Sequence, residues 1–245
     1  VKIRSFRAPR HIIAVEAQGR SIWRGIWALF RTHKLLTLGV FLGAAVLGAY
    51  IWPYDHIWLA RLHYWRGEQE DFAHSLAWNL STWGDYHTYN LPLVLAIWLY
   101  GVWTRSATWR RAAIICFFGA TMAGLFDDLF RFTMGRPRPD AHMSDGFYGI
   151  SHTFRGGYQS FPSGHAASVF GAATALLVIE FPLGLFTTAF ALAVVWSRLE
   201  LNRHYPSDVL VGSIIGIYFG LLAGWGAKMK RPSRRPPLDS QAGSS

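Results

Sequence analysis

Apolar positions fall in long blocks separated by polar stretches, and the blocks set the expected elements. Leu35–Trp52 is an unbroken apolar run, followed by Thr88–Trp103 and by Ala112–Phe130, which meets Asp127 and Asp128 at its far end. Ser163–Ile179, Leu183–Trp196 and Val209–Gly226 complete a set of six runs. A bilayer core admits runs of this kind as helices, because each backbone group must find its partner within the segment. The expected fold is therefore all-α, a polytopic membrane helix bundle of six transmembrane helices over residues 35–226.

The intervening stretches have their own character. Residues 53–87 are polar and aromatic and predict a loop with short surface helices carrying Trp58, Trp65, Trp78 and Trp83. Residues 131–162 form a loop rich in Gly and Pro, Glu180-Phe181-Pro182 a tight turn, and Ser197–Asp208 a polar loop. Gly212, Gly216, Gly220 and Gly224 recur every four residues in the last run, a stripe that lets a neighbouring helix come close. No element is expected in residues 1–18. From Gly19 to Lys34, Ile22, Trp23, Ile26, Trp27 and Phe30 recur at helical spacing among Arg20, Arg24 and Arg31. This predicts an amphipathic helix in the headgroup plane or the solvated first turns of the next span.

Composition strengthens the membrane reading. Of 245 residues, 51% are hydrophobic and 16% charged, well below the roughly 25% charge of a soluble domain. Twelve Trp and ten Tyr suit membrane–water boundaries. The mean hydropathy of +0.18 is diluted by basic ends, which also hold much of the net charge of +10. Residues 1–34 carry Lys2, Arg4, Arg7, Arg10, Arg20, Arg24, Arg31 and Lys34 against Glu16. Residues 227–245, an expected disordered tail, carry Lys228, Lys230, Arg231, Arg234 and Arg235 against Asp239. No nucleic-acid-binding pattern accompanies this charge, so anionic lipid headgroups are the expected partner. Basic residues at both ends and at Arg105, Arg110 and Arg111 place the termini in the cytoplasm. The 53–87, 131–162 and 197–208 loops then share the outer face. Cys116, the single cysteine, permits no intrachain disulfide and reads as a small buried hydrophobe.

Three polar clusters fall on that outer face. Arg131, Arg136 and Arg138 bring guanidinium forks to the end of a span, as an anion site or as headgroup anchors. Phe161-Pro162-Ser163-Gly164-His165 opens the fourth run. Ser163 is a natural N-cap, the first backbone N–H groups favour an anion, and Gly164 lets a ligand approach. In Ser197–Asp208, Arg198, His204 and Asp208 combine a cation, an imidazole and a carboxylate. If Pro206 opens a helix, Asp208 falls in its first turn and can reach back to orient His204. A plain polar loop remains the other reading of that stretch alone. Asp127, four residues before Arg131, is expected to orient it by a salt bridge, and Arg136 to act as support.

Together these blocks resemble the signature motifs of the type 2 phosphatidic acid phosphatase superfamily: Lys-x6-Arg-Pro, Pro-Ser-Gly-His and Ser-Arg-x5-His-x3-Asp. Here they read Arg131-x6-Arg138-Pro139, Pro162-Ser163-Gly164-His165 and Ser197-Arg198-x5-His204-x3-Asp208. The family's lysine is Arg131, which keeps the charge but replaces a point donor by a fork. The resemblance implies that His204 attacks phosphorus and becomes a phosphohistidine, that Asp208 orients it, and that His165 protonates the leaving oxygen. It further implies that Arg131, Arg138, Arg198, Ser163 and Gly164 hold the phosphate, with no metal and no cofactor. The expectation is an integral membrane hydrolase of lipid phosphomonoesters or diphosphates in a bacterial plasma membrane, active on the extracytoplasmic side. Phosphatidate, phosphatidylglycerol phosphate, undecaprenyl diphosphate and lipid A remain open as substrates. The alternatives are a lipid-to-lipid phosphotransferase and a non-enzymatic lipid-binding or transport protein.

Overall fold

The structure, a computed structural model, describes residues 10–66, 70–155 and 157–228. Helices α1 (Arg10–Thr32) and α2 (Lys34–Ile51) lead through a 3-10 turn, Trp52–Tyr54, into α3 (Asp55–Arg66). After α4 (Glu70–Trp83), a π turn at Tyr86–Asn90 runs into α5 (Leu91–Trp103). The long α6 (Ala107–Met134) is followed by the short α7 (Ile150–Thr153), then α8 (Gly164–Ile179), α9 (Phe181–Glu200) and α10 (Pro206–Lys228). No strand occurs among the described residues.

Segments Lys34–His63, Ala107–Ala141, Phe181–Glu200 and Pro206–Lys228 are long and apolar enough to cross a membrane. Their outward faces form an apolar belt, with Leu35, Leu42, Val46, Leu125, Leu129, Phe186 and Leu192 all exposed, as lipid contact requires. The protein is a multi-pass membrane protein. Two of the six expected spans are shorter: α5 has 13 residues and α8 has 16, against about 20 for an independent span.

Helix α8 can be short because it is enclosed. Every residue from Ala166 to Leu176 is buried, and α6, α9 and α10 pack round it. The glycine stripe of α10 explains the closeness. A Cβ on Gly216 would lie 2.4 Å from the Ala167 carbonyl oxygen, so the two backbones touch where a side chain would stand.

Several boundaries differ from expectation. The 53–87 stretch is mostly helical, and Trp58, Trp78 and Trp83 are exposed on it as predicted. It also reaches the interior, since Asp55 at the start of α3 is completely buried. The turn before α9 is tighter than expected, because Phe181 and Pro182 already begin the helix. Helix α9 continues to Glu200, so Arg198 is helical, whereas Asp208 falls in the first turn of α10. Helix α1 begins at Arg10, within the stretch where no element was expected. Its Ile22 and Ile26 are buried against a core that includes Phe219, Leu222 and Ala223 of α10, while Trp23 and Trp27 stay exposed. A turn at His33 separates it from α2, so α1 is an element in its own right. Cys116 is completely buried in the α5–α6–α8 core. Residues 1–9 and the tail from 229 onward lie outside the described residues.

Candidate active site

Three backbone hydrogen bonds lace the sequence clusters together at one end of the bundle. Ser160 N–H donates to the Arg136 carbonyl (3.0 Å), Asp140 N–H to that of Asn202 (3.1 Å), and Ser163 N–H to that of Asp208 (3.2 Å). Helix α6 stops at Gly135, which takes a left-handed φ of 62°, and the chain turns there into Arg136-Pro137-Arg138. Ser163 holds the N-cap position of α8 in an extended conformation, without the expected side-chain hydrogen bond to the helix, and His204 lies in the turn between α9 and α10.

His204 is nearly fully buried, 2% exposed, and its Nδ1 lies 2.7 Å from the Ser160 carbonyl oxygen. A carbonyl only accepts, so the proton of the neutral ring belongs on Nδ1 and the lone pair on Nε2. The carboxylate expected to fix this tautomer does not do so directly: Asp208 Oδ2 is 3.8 Å from Nδ1, beyond hydrogen-bond length. Asp208 instead accepts from Ser160 Oγ (2.5 Å), Tyr205 N–H (2.8 Å) and Arg136 Nη1 (2.6 Å). It therefore steadies the residue that holds His204, while its charge still faces the ring.

Burial, reinforced by the charges of Arg198 and Arg138 and opposed by Asp208, pulls the His204 pKa down to about 4. The ring is then neutral at pH 7, as a nucleophile requires. Below the ordinary histidine value of about 6.5, the unfolded chain binds a proton that the folded chain refuses. Stability is thus lost as pH falls from there toward about 4. A histidine carbon-NMR titration of the purified protein is expected to show the His204 ring neutral at pH 5. A midpoint near the ordinary value would contradict this environment.

Arg136, expected only as support, is the hub of the site. It is 1% exposed. Its Nε donates to Asp145 Oδ1 (2.9 Å), its Nη1 to Ser207 Oγ (2.8 Å) and Asp208, and its Nη2 to Asp55 Oδ2 (2.8 Å) and Asp145 Oδ2 (2.9 Å). These bonds use the full donor set of a guanidinium, which leaves none for a ligand. Tyr205 covers its face at 4.2 Å. Burial opposes ionisation of Asp145, but the paired bonds and charge of Arg136 outweigh it and hold the carboxyl below its ordinary value.

The remaining cations behave differently. Arg131 Nε, Arg138 Nε, Arg198 Nε and Ser163 Oγ are buried polar atoms without a hydrogen-bond partner in the protein. Arg198 is otherwise held by Ser81 of α4 through Nη1. Gly164 allows the Arg131 fork close to the start of α8, since a Cβ there would lie 3.3 Å from its Nη1. His165, one residue further, lies in the field of Arg198, His204, Arg131 and Arg138. It lines a cavity of about 350 Å³ with Asp85, Asp128, Arg131 and Gly164.

The expected Asp127–Arg131 pair is not formed. Asp128 makes the ion pair with Arg131, because it lies with Arg131 along the cavity edge of α6. Asp127 turns inward toward Gly164, completely buried, with neither oxygen hydrogen-bonded. Sequence reasoning also missed Asp55, Asp145, Ser160 and Ser207. Ser160 lies two residues before the Pro162 motif and Ser207 stands inside the third motif beside Asp208, whereas Asp55 and Asp145 carry no local signal.

Fold and site define a multi-pass membrane protein in which buried arginines and two imidazoles gather at one end of the helices. The family model of the PAP2 superfamily matches residues 112–231 of this chain. It is 36% identical over 111 residues to a lipid A 1-phosphatase of Rhizobium johnstonii, covering 43% of this chain and 44% of that protein. It is 38% identical over 94 residues to a lipid A 4'-phosphatase of Bacteroides thetaiotaomicron, covering 36% and 41% respectively. The matches thus span less than half the length of these curated relatives. The crystal structure of a transmembrane PAP2 type phosphatidylglycerolphosphate phosphatase from Bacillus subtilis has the same fold. It matches with a TM-score of 0.60 at 20% identity, covering 79% of this chain and 97% of that one.

Proposed function

We propose that this chain is an integral membrane phosphatase that hydrolyses a lipid phosphomonoester or diphosphate through a phosphohistidine on His204. One observation carries the reading: four buried donor atoms, on Arg131, Arg138, Arg198 and Ser163, have no partner in the protein. Leaving buried donors unmet is costly, and a phosphoryl group, with its several acceptor oxygens, satisfies this set. The unpaired N–H groups at the start of α8 add to the cradle.

The chemistry follows from positioning and charge. His204 Nε2 bonds to phosphorus as the bond to the leaving oxygen breaks, and His165 gives that oxygen a proton. Water then attacks phosphorus, the nitrogen–phosphorus bond breaks, and His165 recovers a proton from the water. Asp208 faces the His204 ring as it turns positive, and the Arg136 hub keeps Asp208 in place. The cations supply the countercharge that the transferring group needs.

On a six-span reading with both termini cytoplasmic, this end of the bundle lies in the outer headgroup layer of a bacterial plasma membrane. There a substrate keeps its tail in lipid and its phosphate in the pocket. We place phosphorylated lipid A first among substrates, because similar proteins bear that activity in their names. Purified protein in detergent, given lipid A, phosphatidylglycerol phosphate, phosphatidate and undecaprenyl diphosphate with a chelator present, is expected to release phosphate from lipid A fastest. Vanadate should block the release. Labelled phosphate recovered on a second lipid, with none free, would replace hydrolysis by transfer.

A further inference from the structure

On the reading that His165 protonates the leaving group, we propose that Asp85 is the positioning residue that favours the protonated form of His165 at that step. Asp85 Oδ2 lies 3.7 Å from His165 Nε2, across the cavity both residues line. Asp85 has no place in the three motifs and comes from the stretch between α4 and α5. Its orientation is set at both ends. Oδ1 accepts the His87 N–H at 3.0 Å, which anchors the carboxylate at the start of the π turn. Gly84, just before it, packs against α9 where a Cβ would meet the Val194 side chain at 2.5 Å. One oxygen is thus tied to backbone and the other faces the imidazole.

The surroundings explain why His165 needs such a partner. Burial of the ring comes first, and Arg198 on α9, His204, Arg131 on α6 and Arg138 in the following loop add to it in disfavouring the imidazolium. His87 also lines the cavity. On the acidic side, Asp128 is committed to Arg131 and Asp127 faces Gly164, which leaves Asp85 at ion-pairing distance from the ring. The separation suits the role. At 3.7 Å the carboxylate stabilises the imidazolium by charge, yet forms no hydrogen bond that would retain the proton. The proton on Nε2 stays free to pass to the leaving oxygen as its bond to phosphorus breaks.

The test compares two leaving groups. An alkyl phosphate leaves as an alkoxide and needs the proton, whereas 4-nitrophenyl phosphate leaves as a weak base and does not. Asp85→Asn, which keeps the acceptor for His87, is expected to lower kcat on the alkyl ester at least tenfold. On the nitrophenyl ester it should change kcat less than threefold, with KM similar for both. Asp85→Glu should recover part of the loss. Carbon-NMR titration of His165, assigned by its absence in His165→Gln, should show the ring losing its proton at lower pH in Asp85→Asn than in the parent. Equal losses on both esters with a raised KM would mean that Asp85 serves Arg198 and phosphate binding, and would overturn the proposal. An unchanged His165 titration would overturn it too. If the parent protein released phosphate from neither ester, the phosphatase reading would fail, while the titration would still decide the Asp85–His165 link.

Discussion

His204→Ala is expected to abolish phosphate release from any lipid phosphate the protein hydrolyses, by about 10⁴-fold or more, while the helices remain assembled. The loss is large because the ring is the bond-forming group, and no other described imidazole shares its setting: a neutral, buried ring with Nδ1 committed to Ser160 O. The structural cost is modest. The substitution removes one hydrogen bond and leaves the Ser160 carbonyl to be met by water, about 1–3 kcal/mol. Helical circular dichroism and gel-filtration behaviour should match the parent. Turnover equal to the parent would remove His204 from the chemistry.

Arg136→Met should do the opposite, damaging the fold first. The guanidinium is 1% exposed and faces three carboxylates, of which Asp55 and Asp208 are completely buried and Asp145 is 13% exposed. Removing one partner of a buried ion pair costs about 3–5 kcal/mol, because the other charge is left uncompensated. Here three are left. Thermal unfolding in detergent should shift down by on the order of 10 °C, and Asp208, no longer held, should take Ser160 and His204 out of register. Arg136→Lys should fall between, since an ammonium offers three donors where the arginine makes five bonds. A Met variant as stable as the parent would show that the hub is dispensable.

The parts of the site legible in the sequence are those encoded locally. Apolar runs bounded by turn residues located the helices, and short motifs located His165, Arg138, Arg198 and His204, because each motif's spacing is tied to one helix end. The hub was not legible. Asp55 and Asp145 lie 81 and 9 residues from Arg136, and no periodicity in the chain marks them as partners. Asp208 is expected to reach back to His204 from the first turn of the helix that Pro206 opens. It does stand in that first turn, but the acceptor nearest the ring is a backbone carbonyl. Asp127 and Asp128 illustrate the same limit. Sequence places both within reach of Arg131, and only packing against α8 decides which turns inward. The short α8 tolerates its length because neighbouring helices surround it.

The central claim is that a phosphoryl group bonds transiently to the imidazole of residue 204. Protein mixed briefly with a lipid phosphate carrying a radiolabelled phosphoryl group, then quenched in alkali and digested, tests it directly. The account predicts an acid-labile, alkali-stable label on the peptide containing His204, absent when vanadate is present. A label on another residue, or full turnover with no label on the protein at any quench time, would contradict it.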